Sequence, residues 1–465
     1  MKHIYLFIIV GTFFTGCGKE FLDIKREAHQ VVPTTTKDYH AVMANNLLLN
    51  TSHFLSFVAA DEYTVGSDFD LIAVSRNYPI QQHAYKWANE GFEVNEQVLD
   101  WNFAYERIAY ANLAMGVDKL KPTRKDEELQ QLEVRLAARF HRAWNYYQLA
   151  QLFCKTYDPQ TADQEMGLPL RLDYDLDVRY DRSSLKQLYA QILKDLHEAE
   201  EIGEEHSVDN RKNPYFPGLL SVEALASRIY LQMGDYKKAQ EYADKVLQKM
   251  NSLIDYNTLS GNITGEYTSY FKNNGAENPE IIFYGATAPG GLISPSRFRA
   301  DDNILQAFDS NDLRKEKGFY QRAAGNTVFI GSFVGNGFDP YFTGLSVGEV
   351  LLNRAECYAR SGEDVKALAD LNRLRKKRYR NYQVLNITDV NDMMKLILME
   401  RRKELYMRGM RWDDARRLNS EGKYSVTFQR TLEGKTYTLE PRSKKWLFPL
   451  PPNEIILNKL VDNAR

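Results

Sequence analysis

From Val347 onward, apolar side chains recur at three- and four-residue steps: Val347, Val350, Leu351, Ala355 and Tyr358. That spacing places them on one face of a helix. Ser361-Gly362 interrupts the pattern, and a second run follows at Val365, Leu368, Ala369, Leu371 and Leu374. Two antiparallel helices are predicted, with Ala355, Ala359 and Ala367 small enough to let them approach closely. The same steps of four and five that join Tyr358, Gly362 and Ala367 also join Tyr230, Gly234 and Ala239. The two copies are far apart in the chain, so long segments must be inserted between helix pairs.

A recurrence of Tyr, Gly and Ala at fixed offsets resembles the tetratricopeptide helix pair. Elsewhere the helical period appears at 38–50 and at 97–120, where Trp101, Tyr105, Ile108 and Asn112 share a face. It continues at 127–153, at 182–202 with the stripe Leu185, Leu188, Ile192, Leu196 and Ala199, and at 217–232 and 236–250. Residues 51–95 are aromatic and aperiodic, predicting loops with short strands. Residues 251–344 are dominated by Gly, Asn, Ser and aromatics, with a short strand predicted at Ile281-Ile282-Phe283. The expected fold is mainly α. Tetratricopeptide-type pairs (about 37–50, 95–250 and 346–418) form a superhelical scaffold, and a loop-rich region with short strands (about 51–94 and 251–345) packs on one side. Insertions of this kind gather function.

The chain's beginning carries its own signal. Lys2 and His3 precede an apolar run from Ile4 to Phe14, too short to span a bilayer. Thr15-Gly16-Cys17 then resembles a bacterial lipobox. The expectation is a lipoprotein signal peptide at 1–16, a lipid-anchored tether at 17–36 with Cys17 acylated, and a single domain at 37–465. Cys154 and Cys357 lie in apolar helical contexts and read as buried thiols, one disulfide being permitted. A net charge of −2 excludes the basic surplus of a nucleic-acid surface. The run RLRKKRYR at 373–380 reads as a solvated face that complements a helix dipole.

Residues 400–419 are ERRKELYMRGMRWDDARRLN. Glu400, Arg401, Glu404, Leu405, Gly409, Arg411, Trp412, Asp414 and Arg417 resemble the C-terminal signature of the SusD/RagB family of outer-membrane nutrient-capture lipoproteins. Arg408, Met410 and Asp413 depart from it. Cys17 to Asp23, the face of 97–120, Asn278 to Phe283 and 445–452 are similar to further family strings. Glu400 and Glu404 share a helix face, Gly409 suits a left-handed helix end, and Arg411 and Arg417 are expected to answer the two acids, fixing helix packing rather than marking an active site. The resemblance implies a protein of the external face of the outer membrane. It would sit on a SusC-like TonB-dependent transporter, capture an oligosaccharide and deliver it without breaking a bond. The RagB branch implies peptide as the alternative cargo, and a surface glycoside hydrolase is the third reading.

Little in the chain points to catalysis. The histidines all precede residue 207 with no metal-ligand spacing, and neither GxSxG nor GxxxxGK[ST] occurs. Asp301-Asp302 and Asp413-Asp414 are carboxylate pairs of the type glycosidases use, but 62 acids make such neighbours expected. No catalytic residue, metal or cofactor is assigned. Aromatics are the positive signal: 29 Tyr, 23 Phe and 5 Trp. A ring offers flat apolar area to the C–H face of a sugar, and polar neighbours bond its hydroxyls. In the loop-rich parts, Trp87, Phe298, Phe338 and Tyr341, with Asp61, Asn89, Arg297 and Asp301, are the expected ligand-binding residues.

Overall fold

The computed structural model describes residues 33–465 except 66, 68–70, 74–75, 90, 95, 176, 207, 209–212, 266–267, 272–276, 288–290, 295, 324, 335–340, 388 and 433. The expected signal peptide and Cys17 lie outside the described residues. The helices of eight residues or more are α1 (Thr36–Met43), α2 (Pro79–Lys86), α3 (Leu99–Ala114), α4 (Lys125–Phe153), α5 (Leu185–His206), α6 (Leu219–Gln232), α7 (Tyr236–Lys249), α8 (Val347–Arg360), α9 (Asp364–Arg378), α10 (Val390–Glu404) and α11 (Met410–Glu421).

Helices α3 to α9 pack each against the next, and α10 joins α8. The two copies of the Tyr-Gly-Ala pattern are α6–α7 and α8–α9. Their glycines, Gly234 and Gly362, hold nearly the same left-handed turn at φ 77° and 78°, and Ala239 and Ala367 are fully buried. Because α7 packs directly on α8, the superhelix runs unbroken in space while 251–345 leaves from between two stacked pairs. Helix α4 is the axis of the first half. Nearly every side chain from Leu132 to Phe153 is buried, and Arg142 clamps Asp195 of α5 with two bonds of 2.8 and 2.6 Å.

The two loop-rich parts form one body. Tyr63–Val65 pairs antiparallel with Phe298–Ala300, and Thr51–Ser52 pairs parallel with Ala286–Thr287. Ile281–Phe283, at the predicted strand, pairs with Leu345–Ser346 at the entrance to α8.

Several boundaries differ from expectation. The helix expected over 38–50 ends at Met43, and a single turn, Asn46–Leu49, follows. The 51–95 stretch contains α2, started by Pro79 at its first position, where a missing N–H costs nothing. Asp301 and Asp312 cap two short helices, Asp302–Ala307 and Leu313–Gly318, inside the middle insertion. The closing segment is a 3₁₀ turn, Lys444–Trp446, and a helix, Pro452–Asn458. Cys154 and Cys357 are buried and unpaired.

Candidate functional site

The residues of the C-terminal signature fold into a buried charge network. Glu404 accepts from Arg378, which also bonds both carboxylate oxygens of Glu280 at 2.8 and 2.9 Å. Glu400 takes Arg314, Arg375 and Lys403. Burial by itself would raise these acids, but Arg378 and its neighbours hold Glu404 below the usual carboxylate range. The partners differ from those expected. Arg417 closes on Glu356 and Asp414, and Arg411 on Asp61, while Glu400 and Glu404 of α10 are taken by Arg314, Arg375, Lys403 and Arg378 instead. Arg375 and Arg378 point inward from the 373–380 run, so that run is only partly a solvated face. The network ties α8 to α11 to the insertion and leaves Glu400 and Glu404 inaccessible.

The two loop-rich parts meet α3 at a cavity of about 190 Å³. Thr51 and Phe54 supply one wall, Tyr78, Ile80 and Gln81 of the α2 region a second, Gly291 a third, and Leu99, Asp100, Phe103 and Arg107 of α3 the fourth. Its mouth is apolar and open: Tyr78, Leu99 and Phe103 are 49%, 48% and 40% exposed. Its interior is polar. Asp100 is buried and accepts from the backbone N–H groups of Phe54 and Leu55. Burial pushes its carboxyl up to about 6. Arg107 is buried, with Nε donating to Asn145 Oδ1 at 2.6 Å, and burial lowers it to about 10. At Gly291 (φ 60°) a Cβ would stand 1.9 Å from Gln81 Oε1. That close approach lets Gln81 accept from Leu292 N–H at 2.9 Å and fasten the 291–293 turn to α2. Larger cavities, of about 330 and 490 Å³, are walled mainly by scaffold helices and the C-terminal segment, and two more, of about 350 and 240 Å³, lie between α3 and the loop after Met166–Pro169.

Three of the expected ligand-binding rings are core residues. Trp87 is buried with its indole N–H on Ala59 O at 3.0 Å, the Arg430 guanidinium 4.8 Å from its ring. Phe298 is fully buried and stacks on Tyr63. Tyr341 is buried and donates to Ile293 O at 3.0 Å. Each was expected to face solvent; packing between the short strands and the scaffold encloses it instead. Asp61 is engaged by Arg411 at 2.6 and 2.8 Å and by Arg402. Asp301 accepts from Asn303 N–H at 2.9 Å as a helix cap. Arg297, half-buried, reaches Gly291 O and so stands behind the cavity's third wall. Asn89 is exposed and away from the cavity lining. Phe338 lies outside the described residues. The rings that do line the cavity, Phe54, Tyr78 and Phe103, were not singled out. Phe103 carried a signal: it is a large apolar residue off the stripe that contains Trp101, Tyr105 and Ile108.

Of the two carboxylate pairs, every member but the exposed Asp302 has a structural partner. Asp413 is buried and accepts from Tyr147, Asp414 pairs with Arg401 and Arg417, and Asp301 is the cap just described.

A family model described as "Starch-binding associating with outer membrane" matches residues 20–231, and the model of the SusD family matches 340–464. The chain belongs to the SusD/RagB family. Solved structures of SusD-superfamily proteins share its fold. One from Bacteroides thetaiotaomicron is 18% identical, covering 93% of this chain and 100% of that one, with a TM-score of 0.72. One from Bacteroides fragilis is 20% identical, covering 92% and 99%, with a TM-score of 0.69. A surface glycan-binding protein A from Bacteroides uniformis is 16% identical, covering 92% and 98%, with a TM-score of 0.65. No curated protein matches the chain. Among the described residues of this SusD/RagB chain, no helix is long and apolar enough to cross a membrane.

Proposed function

We propose that the chain is a cell-surface lipoprotein that captures an oligosaccharide and passes it to a SusC-like TonB-dependent transporter, retaining the glycan without cleaving it. Acylated Cys17 would hold it to the outer membrane through the 17–36 tether, with 37–465 as one domain. The observation that carries this reading is the cavity between the two loop-rich parts and α3. Exposed rings at its mouth and hydrogen-bonding groups inside match a sugar's apolar face and its hydroxyls. The description of the matching family model and the printed name of the Bacteroides uniformis protein agree with it. Weak intrinsic affinity suffices for such a role, because a lid and barrel in one assembly raise the ligand's effective concentration.

A glycan array followed by calorimetry tests the reading. Saturable binding without product formation is expected, weakened by Phe103→Ala or Tyr78→Ala. Turnover of a glycan would replace capture by hydrolysis. Binding of peptides and of no glycan would replace the sugar by peptide.

A further inference from the structure

The cavity described above contains a buried cation that no carboxylate among the described residues directly bonds. Several buried arginines close on carboxylates, Arg142 on Asp195, Arg228 on Glu349, Arg378 on Glu280 and Glu404, Arg417 on Glu356, while Arg416 and Arg430 spend their Nη groups on backbone carbonyls and Arg408 bonds Ser346. Arg107, 2% exposed, has no ion pair among the described residues. Its only hydrogen bond there is Nε to Asn145, itself fully buried on α4. Neither Nη group bonds a described residue, yet neither is sealed from solvent as Arg416 Nε is. Arg107 therefore presents its free donors to the cavity it lines.

The one carboxylate among the described residues of the cavity wall is Asp100. It stands two helical turns away on the same face of α3, about 10 Å along the axis, and its Oδ1 is occupied by the N–H groups of Phe54 and Leu55. The two side chains therefore divide the cavity between them, with a carboxylate at one end and a cation it does not directly bond at the other. Enclosing a cation without a partner is costly, and the guanidinium fork fits one ligand group best, a carboxylate taken by two parallel N–H bonds.

We propose that the cavity takes an acidic sugar unit, its carboxylate closing on the Nη groups of Arg107, a hydroxyl on Asp100 and its ring against Phe103 and Tyr78. This rests on the glycan reading above and narrows it to uronic-acid-type glycans.

The test is calorimetry on the full chain with uronic-acid-containing oligosaccharides and their carboxyl-reduced, neutral counterparts. The acidic member of a pair is expected to bind at least tenfold tighter, and the preference to shrink as salt rises. Arg107→Gln should abolish the preference, and Arg107→Lys, which keeps charge without the fork, should restore part of it. The paired ligands and the salt series need no variant, so they decide the matter even if Arg107→Gln does not fold. Equal affinity within pairs, or preference for the reduced member, overturns the acidic subsite and leaves glycan capture standing. Failure of every glycan, with saturable peptide binding, overturns both.

Discussion

At the scale of single residues, the chain spends its charged side chains on structure, and two predictions follow from how they are buried. Arg378 is fully enclosed and serves Glu280, Glu404 and Ile254 O at once. Arg378→Met would leave Glu280 with no ion-pair partner among the described residues and Glu404 with Arg314 alone, at 3.3 Å. Breaking a buried pair from one side costs about 3–5 kcal/mol, which should appear as a lower denaturation midpoint in urea at unchanged slope. Glu62 is the opposite case. Its Oε1 accepts from Met407 N–H at 3.2 Å while Oε2 has no partner, and burial, outweighing nearby Arg411 and Arg402, pushes the carboxyl from 4.5 up to about 8. Between those values the folded chain keeps a proton that the unfolded chain has released. Stability contributed by Glu62 is therefore present below pH 4.5 and lost as the pH rises toward 8, at about 1.4 kcal/mol per unit. Glu62→Gln mimics the protonated form and keeps the acceptor. It should be near neutral at pH 5 and stabilising at pH 8, read from denaturation midpoints at the two values. An equal effect at both would contradict the assignment.

At the scale of elements, the helix pairs were readable because each buries one stripe, and a period near 3.6 survives in a single sequence. The turn glycines were readable for the same reason, since Gly234 and Gly362 occupy a conformation that L side chains avoid. Both turns are open, with no neighbouring atom within 4 Å of where a Cβ would stand, so Gly234→Ala and Gly362→Ala should each cost only the left-handed strain, about 1–2 kcal/mol. Gly409 has a similar φ, but a Cβ there would come within 2.7 Å of Phe57. Gly409→Ala should therefore be the most damaging of the three in thermal denaturation. What could not be read were elements made by distant partners. Tyr63–Val65 is a strand because Phe298–Ala300 lies beside it, and three residues carry no period. The answering partners of Arg411 and Arg417 escaped for the same reason: Asp61 and Glu356 belong to other parts of the chain, and Glu400 and Glu404 are occupied by cations likewise distant in sequence, such as Arg314.

At the scale of the whole molecule, composition identified the region of the candidate site without identifying its rings. Aromatics in the aperiodic stretches were expected to face solvent, but a loop-rich body stitched by two-residue and three-residue strands needs its own core. Trp87, Phe298 and Tyr341 supply it, with Phe57, Tyr63 and Phe428 beside them. The rings left over for a ligand are those that the scaffold helix and the loop body do not cover, Phe103 on one and Tyr78 on the other. This division can be measured. Trp87→Ala removes a buried ring and an indole hydrogen bond, so it should lose about 3–5 kcal/mol of stability, and any loss of glycan binding should track the fraction folded. Phe103→Ala, at an exposed position, should change stability by no more than about 0.5 kcal/mol. If the ring is an anchor, its removal should weaken binding by about 1 kcal/mol or more, roughly fivefold. Calorimetry on samples shown to be folded by circular dichroism separates the two variants. A Phe103→Ala protein that binds as well as the parent would move the site away from α3, whereas a folded Trp87→Ala protein with lost binding would return it to the loop core.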